Sequence, residues 1–350
     1  MIKVLIVEDS PITQEFLTYI LNADPGIRVI GVANNGEQAL IALRSKNPDV
    51  VIMDINMPKM NGFVATRKIM ETRPVPIIIV SAIWDPHEVA TTFRAMEAGA
   101  VAVLAKPVGM GHPGHEAVAE EFVQTVKLMS EVRVVRRWAD RRQVQVARKA
   151  SRLAKLEQRS ADIRVIAIGT STGGPPVLHT ILAGLAGDFP VPVLIVQHIT
   201  AGFLKGMIQW LDRVTDLQVR IAAHGEQVLP GRVYLAPDNV HMGLSRKGTI
   251  ILSASKPENS LRPSISYLFR SVADAFGEQV VGVLLTGMGS DGARELKILR
   301  DKGAITIVQD KDSSVVHGLA RAAIKLNAAM YVQSPDEIAT TLASLAGKKR

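Results

Sequence analysis

Two sets of residues in this chain have the types and spacing for chemistry. In the stretch RVIAIGTSTGGPP, Arg164 to Pro176, an apolar run ends in six small residues and two prolines, with Ser171 among them. A serine nucleophile needs a base, and the base needs an acid that orients it. His198 directly follows the apolar run VLIVQ, and Asp291 follows VVGVLLTGMGS in a second Gly-rich turn. Asp310 and Asp312, past the run at 305–308, are rival acids. The second set is Glu8, Asp9 and Asp54 with Ser81 and Lys106, each just beyond an apolar run in the first 106 residues. Three carboxylates brought together repel one another unless a cation sits among them, and hard oxygen ligands suit Mg²⁺. A lysine and a hydroxyl beside such a site can hold a phosphoryl group on Asp54.

Each residue also has a plainer reading. The acids of the second set can be helix caps or loop solvation, His198 a satisfied structural histidine, and Asp291 a helix N-cap. Ser171 itself admits three readings. Pro175 and Pro176 fit the first turn of a helix, whose N-terminus can cradle a phosphate. Yet GTSTGG is neither G-x-G-x-x-G nor a P-loop, and no lysine follows. A tight turn is the second reading. The third is a nucleophile, because Gly169-Thr170-Ser171-Thr172-Gly173 has the form G-x-S-x-G at a strand-to-helix turn. That pattern alone is common. The weight lies in convergence, since polar residues placed just past buried strands meet along one edge of a sheet.

The elements that must position them alternate. Near-continuous Val/Ile/Leu runs at 4–7, 28–32, 50–53, 77–80 and 101–104 are separated by helical patterns, which predicts a parallel sheet covered on both faces. Runs at 165–168, 193–197, 218–221, 232–235, 249–252, 280–285 and 305–308 predict a second, doubly wound α/β sheet. That sheet is expected to be mostly parallel, with antiparallel hairpins near 231–252. At 350 residues the chain suits two domains. We divide it at 1–108, 109–160 and 161–350, the middle part being a basic helical linker.

Hydrophobic content of 47% with 21% charged residues fits globular domains. No apolar run approaches the roughly 18 residues of a membrane helix, so no membrane insertion is expected. The N-terminus turns acidic at once, unlike a signal peptide, and a cytoplasmic location is expected. Zero cysteines exclude disulfides, thiol catalysis and cysteine-based zinc sites. Of the net charge of +8, residues 131–160 hold +7, from ten basic and three acidic side chains. With only Trp138 as an aromatic, that segment reads as a solvated linker, the alternative being a site for an acidic partner. His112 and His115 read as loop residues rather than metal ligands.

The motifs VEDS, DVVIMDINMP, VSA and AKP resemble the receiver domain of two-component response regulators, over residues 1–108. The resemblance implies a flavodoxin-like, five-stranded parallel fold and a histidine kinase that donates phosphate to Asp54. It implies Mg²⁺ held by Glu8, Asp9, Asp54 and the Asn56 carbonyl, with Ser81 and Lys106 sensing the phosphoryl group. Receivers usually carry an aromatic three positions before the lysine, and here that place is Val103.

IGTSTGG, QHI, YLAPDNVH, RPS, LTGMGSDGA and VVHGLARAA resemble the catalytic domain of chemotaxis protein-glutamate methylesterases, over residues 163–345. That resemblance implies a Ser171–His198–Asp291 triad, an oxyanion site at the backbone around Met288 with Thr172 beside the nucleophile, and no cofactor in this domain. The implied reaction is hydrolysis of γ-glutamyl methyl esters, with deamidation of glutamine, on cytoplasmic helices of methyl-accepting chemoreceptors. Two places depart from the family pattern: Gly318-Leu319-Ala320 where GMP is usual, and Ser266 where Asp is frequent. Both are expected to alter the rim that receives the receptor helix. A monomer is expected, and no nucleic-acid partner. The competing reading is a response regulator that binds an acidic partner or nucleic acid through its linker, with an idle second domain.

Overall fold

The computed structural model describes residues 1–81, 86–107, 115–132 and 163–346, with 109, 111 and 134 as single positions between them. The chain forms two compact units, Met1–Asp140 and Arg141–Arg350. No helix among the described residues is long and apolar enough to cross a membrane.

In the first unit the strands are β1 (Ile2–Val7), β2 (Ile27–Ala33), β3 (Val50–Asp54), β4 (Ile77–Ser81) and β5 (Ala102–Ala105). They form one sheet in the order β2-β1-β3-β4-β5, every pair parallel. Helices α1 (Pro11–Asn22), α2 (Gly36–Ser45), α3 (Gly62–Thr72), α4 (Pro86–Glu97) and α5 (His115–Ser130) connect and cover it. Ser10, Asn35 and Asn61 accept the N–H of Thr13, Gln38 and Val64, so α1, α2 and α3 each begin on a side-chain cap. The polar residues past the strands are thereby held at the sheet edge.

The division at 108 falls short of this unit. Helix α5 packs on β3 and β4, and it buries Phe122, Val126 and Met129 on one face. Those positions are spaced i, i+4, i+7, the stripe of a core-facing helix. His115 opens this helix, with its ring 5.7 Å from that of Phe16. His112 and nearly all of the basic segment lie outside the described residues.

In the second unit β6 (Val165–Thr170), β7 (Val193–Gln197), β8 (Gln218–Ile221), β9 (Arg232–Leu235), β12 (Val280–Leu284), β13 (Ile305–Gln309) and β14 (Tyr331–Gln333) form a seven-stranded sheet. Its order is β14-β13-β12-β6-β7-β9-β8, and every pair is parallel. Among the described strands, the expected antiparallel pairing is that of β10 (His241–Leu244) with β11 (Ile250–Ser253), which stand as a separate ribbon. Strand β9, expected within those hairpins, belongs instead to the parallel sheet.

Helices α6 (Gly174–Ala183), α7 (Leu204–Leu211), α8 (Ile265–Phe276), α9 (Ala293–Asp301), α10 (Gly318–Lys325) and α11 (Pro335–Ala346) complete the unit. Leu268, Phe269 and Val272 of α8 are fully buried and anchor it in the core. The first strand of the unit, β6, lies between β7 and β12, so the chain winds first to one side and then to the other. Open α/β sheets bind ligands at the carboxyl ends of strands at such a switch point.

Candidate functional site

In the first unit the expected constellation assembles. Glu8 and Asp54 are buried, Asp9 is exposed, and each offers a carboxylate oxygen within 4.8 Å of the others. Lys106 Nζ lies 2.9 Å from Glu8 Oε2 and 3.0 Å from Asp54 Oδ1. Burial, then the Glu8 charge, pushes the Asp54 carboxyl up to about 7 despite Lys106. Buried Glu8 Oε2 has that lysine as a charge partner but no well-aligned hydrogen bond. A divalent cation would satisfy both carboxylates, so the donor set fits Mg²⁺. Ser81 is buried at the end of β4, where its carbonyl accepts the Lys106 N–H at 3.1 Å. Asn56 is exposed, two residues past Asp54. Val103 is half-buried on β5, against the cluster containing Met53 and Ile79.

In the second unit, Ser171 follows β6 and His198 follows β7. These strands pair in register, Thr170 opposite Gln197, which brings the two loops side by side. The His198 N–H donates to Thr170 O at 2.9 Å, and the Ser171 N–H to Thr286 O at 3.0 Å. Gly174 N–H donates to Ser171 O at 2.9 Å, closing the turn into α6. Gln197 Nε2 donates to both Ser171 O, at 2.8 Å, and His198 O, at 2.7 Å. Thr286 Oγ1 donates to Thr172 O at 3.0 Å, and Gln309 Oε1 accepts the Thr286 N–H at 2.8 Å.

A bare backbone is required beside the serine. A Cβ on Gly287 would lie 2.5 Å from Ser171 Cβ and 3.1 Å from its nitrogen. Gly287→Ala is therefore expected to displace Ser171 and lower kcat/KM by roughly 10²-fold, the loss typical of a misplacement near 1 Å. Ester-hydrolysis kinetics check this against far-UV circular dichroism, which should stay unchanged.

Asp291 is buried, with Oδ2 3.2 Å from His198 Nε2, an ion-pair distance off the line of a good hydrogen bond. With Nε2 turned to the acid, Nδ1 is the nitrogen left for Ser171. Asp291 also accepts from Asn259 Nδ2 at 3.0 Å, Ser264 Oγ at 2.9 Å, and the N–H groups of Ile265 at 2.7 Å and Ser266 at 3.2 Å. It thus sits on the N-terminus of α8, where a negative charge is favoured. Burial alone would raise its carboxyl, but the adjacent His198 imidazole and hydrogen bonds from Ser266 and Asn259 outweigh that and hold it well below the ordinary range. The rivals lie elsewhere: Asp310 Oδ1 is taken by the Ser313 N–H and hydroxyl, and Asp312 is exposed.

Residues 166–342 match the family described as CheB methylesterase, and residues 4–112 the response regulator receiver domain. A "Protein-glutamate methylesterase/protein-glutamine glutaminase" of Nitrosospira multiformis is 55% identical over 349 residues, covering 100% of this chain and 98% of that relative. The chain belongs to this methylesterase family. A second member, from Geobacter metallireducens, is 56% identical over 350 residues and all of both chains. The crystal structure of the Thermotoga maritima CheB methylesterase catalytic domain covers 52% of this chain and 98% of its own, at TM-score 0.51 and 35% identity.

At the two departures from the family pattern, Ser266, Leu319 and Ala320 are buried and Gly318 is half-buried. Ser266 is buried: its hydroxyl donates to Glu295 Oε2 at 2.7 Å and accepts the Gly292 N–H at 2.9 Å. It braces the Asp291 turn. Gly318 and Leu319 both donate to Gly287 O at 3.0 Å, and Leu319 and Ala320 are fully buried beneath that loop. Met288, at the centre of the loop, is 53% exposed, and Thr172 is half-buried. Sequence reasoning missed Gln197, Asn259, Ser264 and Thr286 as site residues. Three of them stand inside the quoted runs QHI, RPS and LTG, which was the available signal. Asn259 stands in none, and its positive φ of 53° belongs to a turn that no sequence pattern announced.

Proposed function

We propose that this member of the methylesterase family hydrolyses γ-glutamyl methyl esters and glutamine side-chain amides through Ser171, His198 and Asp291. The observation that carries this reading is the pairing of half-buried His198 with buried Asp291 at the switch point beside Ser171. His198 Nδ1 takes the Ser171 hydroxyl proton as Oγ attacks the glutamyl carbonyl carbon. Asp291 fixes the imidazole tautomer and stabilises the imidazolium through Nε2. Backbone donors around Met288, beside Thr172, hold the oxyanion of the tetrahedral intermediate. Its collapse breaks the C–O bond of the ester, His198 returning the proton to leaving methanol. From an amide the C–N bond breaks and ammonia leaves. Water, deprotonated by the same histidine, then attacks the acyl-serine and restores the hydroxyl.

The substrate we assign is the cytoplasmic helical region of methyl-accepting chemoreceptors. The phosphoryl donor to Asp54 is a histidine kinase, and the setting is the cytoplasm. Glu8, Asp9, Asp54 and the Asn56 carbonyl would hold Mg²⁺, which would supply charge neutralisation for phosphoryl transfer. Lys106 and Ser81 bind the transferred group's oxygens. An idle second domain explains less, since it gives the His198–Asp291 pair beside Ser171 no task.

Methanol release from methylated receptor, with and without a small acyl-phosphate donor, tests the whole reading. The donor is expected to raise kcat/KM by about 5- to 150-fold, the usual range of a coupling between sites. Asp54→Asn is expected to hold the full-length enzyme at its unphosphorylated rate. A donor effect that survives in Asp54→Asn would contradict the assignment of the phosphoacceptor.

A further inference from the structure

Gln197 is a buried polar side chain at the catalytic edge to which the mechanism gives no task. Gln197 ends β7 and is 5% exposed, while Val193 to Val196, the rest of that strand, is entirely apolar. Its Nε2 donates at 2.8 Å to the Ser171 carbonyl and at 2.7 Å to the His198 carbonyl. Both partners are acceptors only, so the orientation of the amide is fixed: only its NH₂ end can serve both. The Oε1 end is buried without a donor, against Gly174, where any Cβ would overlap it. A buried amide oxygen with no partner is unfavourable, and an apolar residue of the same length would avoid it.

We propose that Gln197 is a positioning residue for the hydrolysis, setting the separation of Ser171 and His198 by clamping their two main-chain carbonyls. The proposal rests on the Ser171–His198 reading above. The other local hydrogen bonds tie these residues to third parties, Ser171 to Thr286 and His198 to Thr170. Among the described residues, the Gln197 amide is the side chain that hydrogen-bonds both the nucleophile's residue and the base's residue. Without it, Ser171 Oγ and His198 Nδ1 keep their identities but lose a fixed approach, and proton transfer slows. Gln197 is enclosed beneath the turn, so receptor binding is not expected to change.

The test uses phosphorylated full-length protein carrying Gln197→Met, which keeps the length and removes the donors. Gln197→Glu serves as a second, near-isosteric variant. Leu342→Ala, a fully buried position on α11, supplies a destabilised control away from the catalytic loops. Two rates are measured where each protein is fully folded: methanol release, and labelling of Ser171 by a small fluorophosphonate, which needs an activated serine but no receptor. Both Gln197 variants are expected to lose roughly 10²-fold in kcat and in labelling rate, with KM unchanged and Leu342→Ala near wild type. A folded Gln197 variant that labels and turns over at the wild-type rate overturns the proposal, as does an equal loss in Leu342→Ala. Absence of Ser171 labelling in the wild type would instead overturn the underlying nucleophile assignment.

Discussion

Replacing Ser171 with alanine is expected to lower methanol release from methylated receptor by about 10⁶-fold, the scale seen when a serine nucleophile is removed. The fold should survive, because the turn is held by the Ser171 main chain, through Thr286, Gly174 and Gln197, and not by its hydroxyl. His198→Ala should lose nearly as much, since an unactivated serine hydroxyl is a weak nucleophile. The double variant should lose little more than either single one, because the two residues act as a unit. Single-turnover assays at high enzyme concentration reach the necessary sensitivity. Losses that multiply in the double variant would mean that serine and histidine act in separate steps.

Asp291→Asn is expected to lower turnover by roughly 10⁴-fold while leaving the site assembled. The amide can keep one acceptor on the α8 N-terminus but cannot supply the anion that holds the imidazolium. Asp310→Asn and Asp312→Asn should stay near wild type, since neither carboxylate pairs with His198. The same variant carries a pH signature. The Asp291 carboxyl is held below its ordinary value, so it contributes stability that is fully present above the ordinary carboxylate range. That contribution is lost as the pH falls through the depressed value. Urea midpoints of wild type and Asp291→Asn should therefore differ at neutral pH and converge in strong acid. A gap that widens on acidification would reverse the sign and overturn the argument.

Much of this site was legible because its carriers stand at the ends of apolar runs. IAIGT, VLIVQ and VVGVL are continuous enough to be strands buried on both faces, and a parallel sheet fixes which ends meet. Strand β10 was illegible for the opposite reason. His241 and Gly243 interrupt its pattern, yet His241 is fully buried, its ring nitrogens 3.2 Å from the Ser264 N–H and 3.1 Å from Lys256 O. Strand β14 is three residues at a sheet edge, with Val332 exposed, too short to carry a periodicity. Helix α5 was read into the linker because charged residues surround its stripe of Phe122, Val126 and Met129.

The acid's environment was the hardest part to foresee. Asp291 opens the turn into its own helix, α9, which invites the N-cap reading. It instead accepts from the N-terminus of a different helix, α8, about 26 residues earlier in the chain. Only tertiary structure brings those two turns together. Ser266 shows the same limit, because its departure from the family pattern reads as surface variation until its burial beneath Asp291 is seen.

The central claim is that Ser171, activated by His198 and Asp291, is the group that attacks the glutamyl carbonyl. Its most direct measurement is peptide mapping during titration with a serine-directed fluorophosphonate, followed in parallel with methanol release. The account predicts that one equivalent attaches to Ser171 and that activity falls in proportion to that adduct. Full modification of Ser171 with methanol release intact, or inactivation with the adduct on another residue, would contradict it.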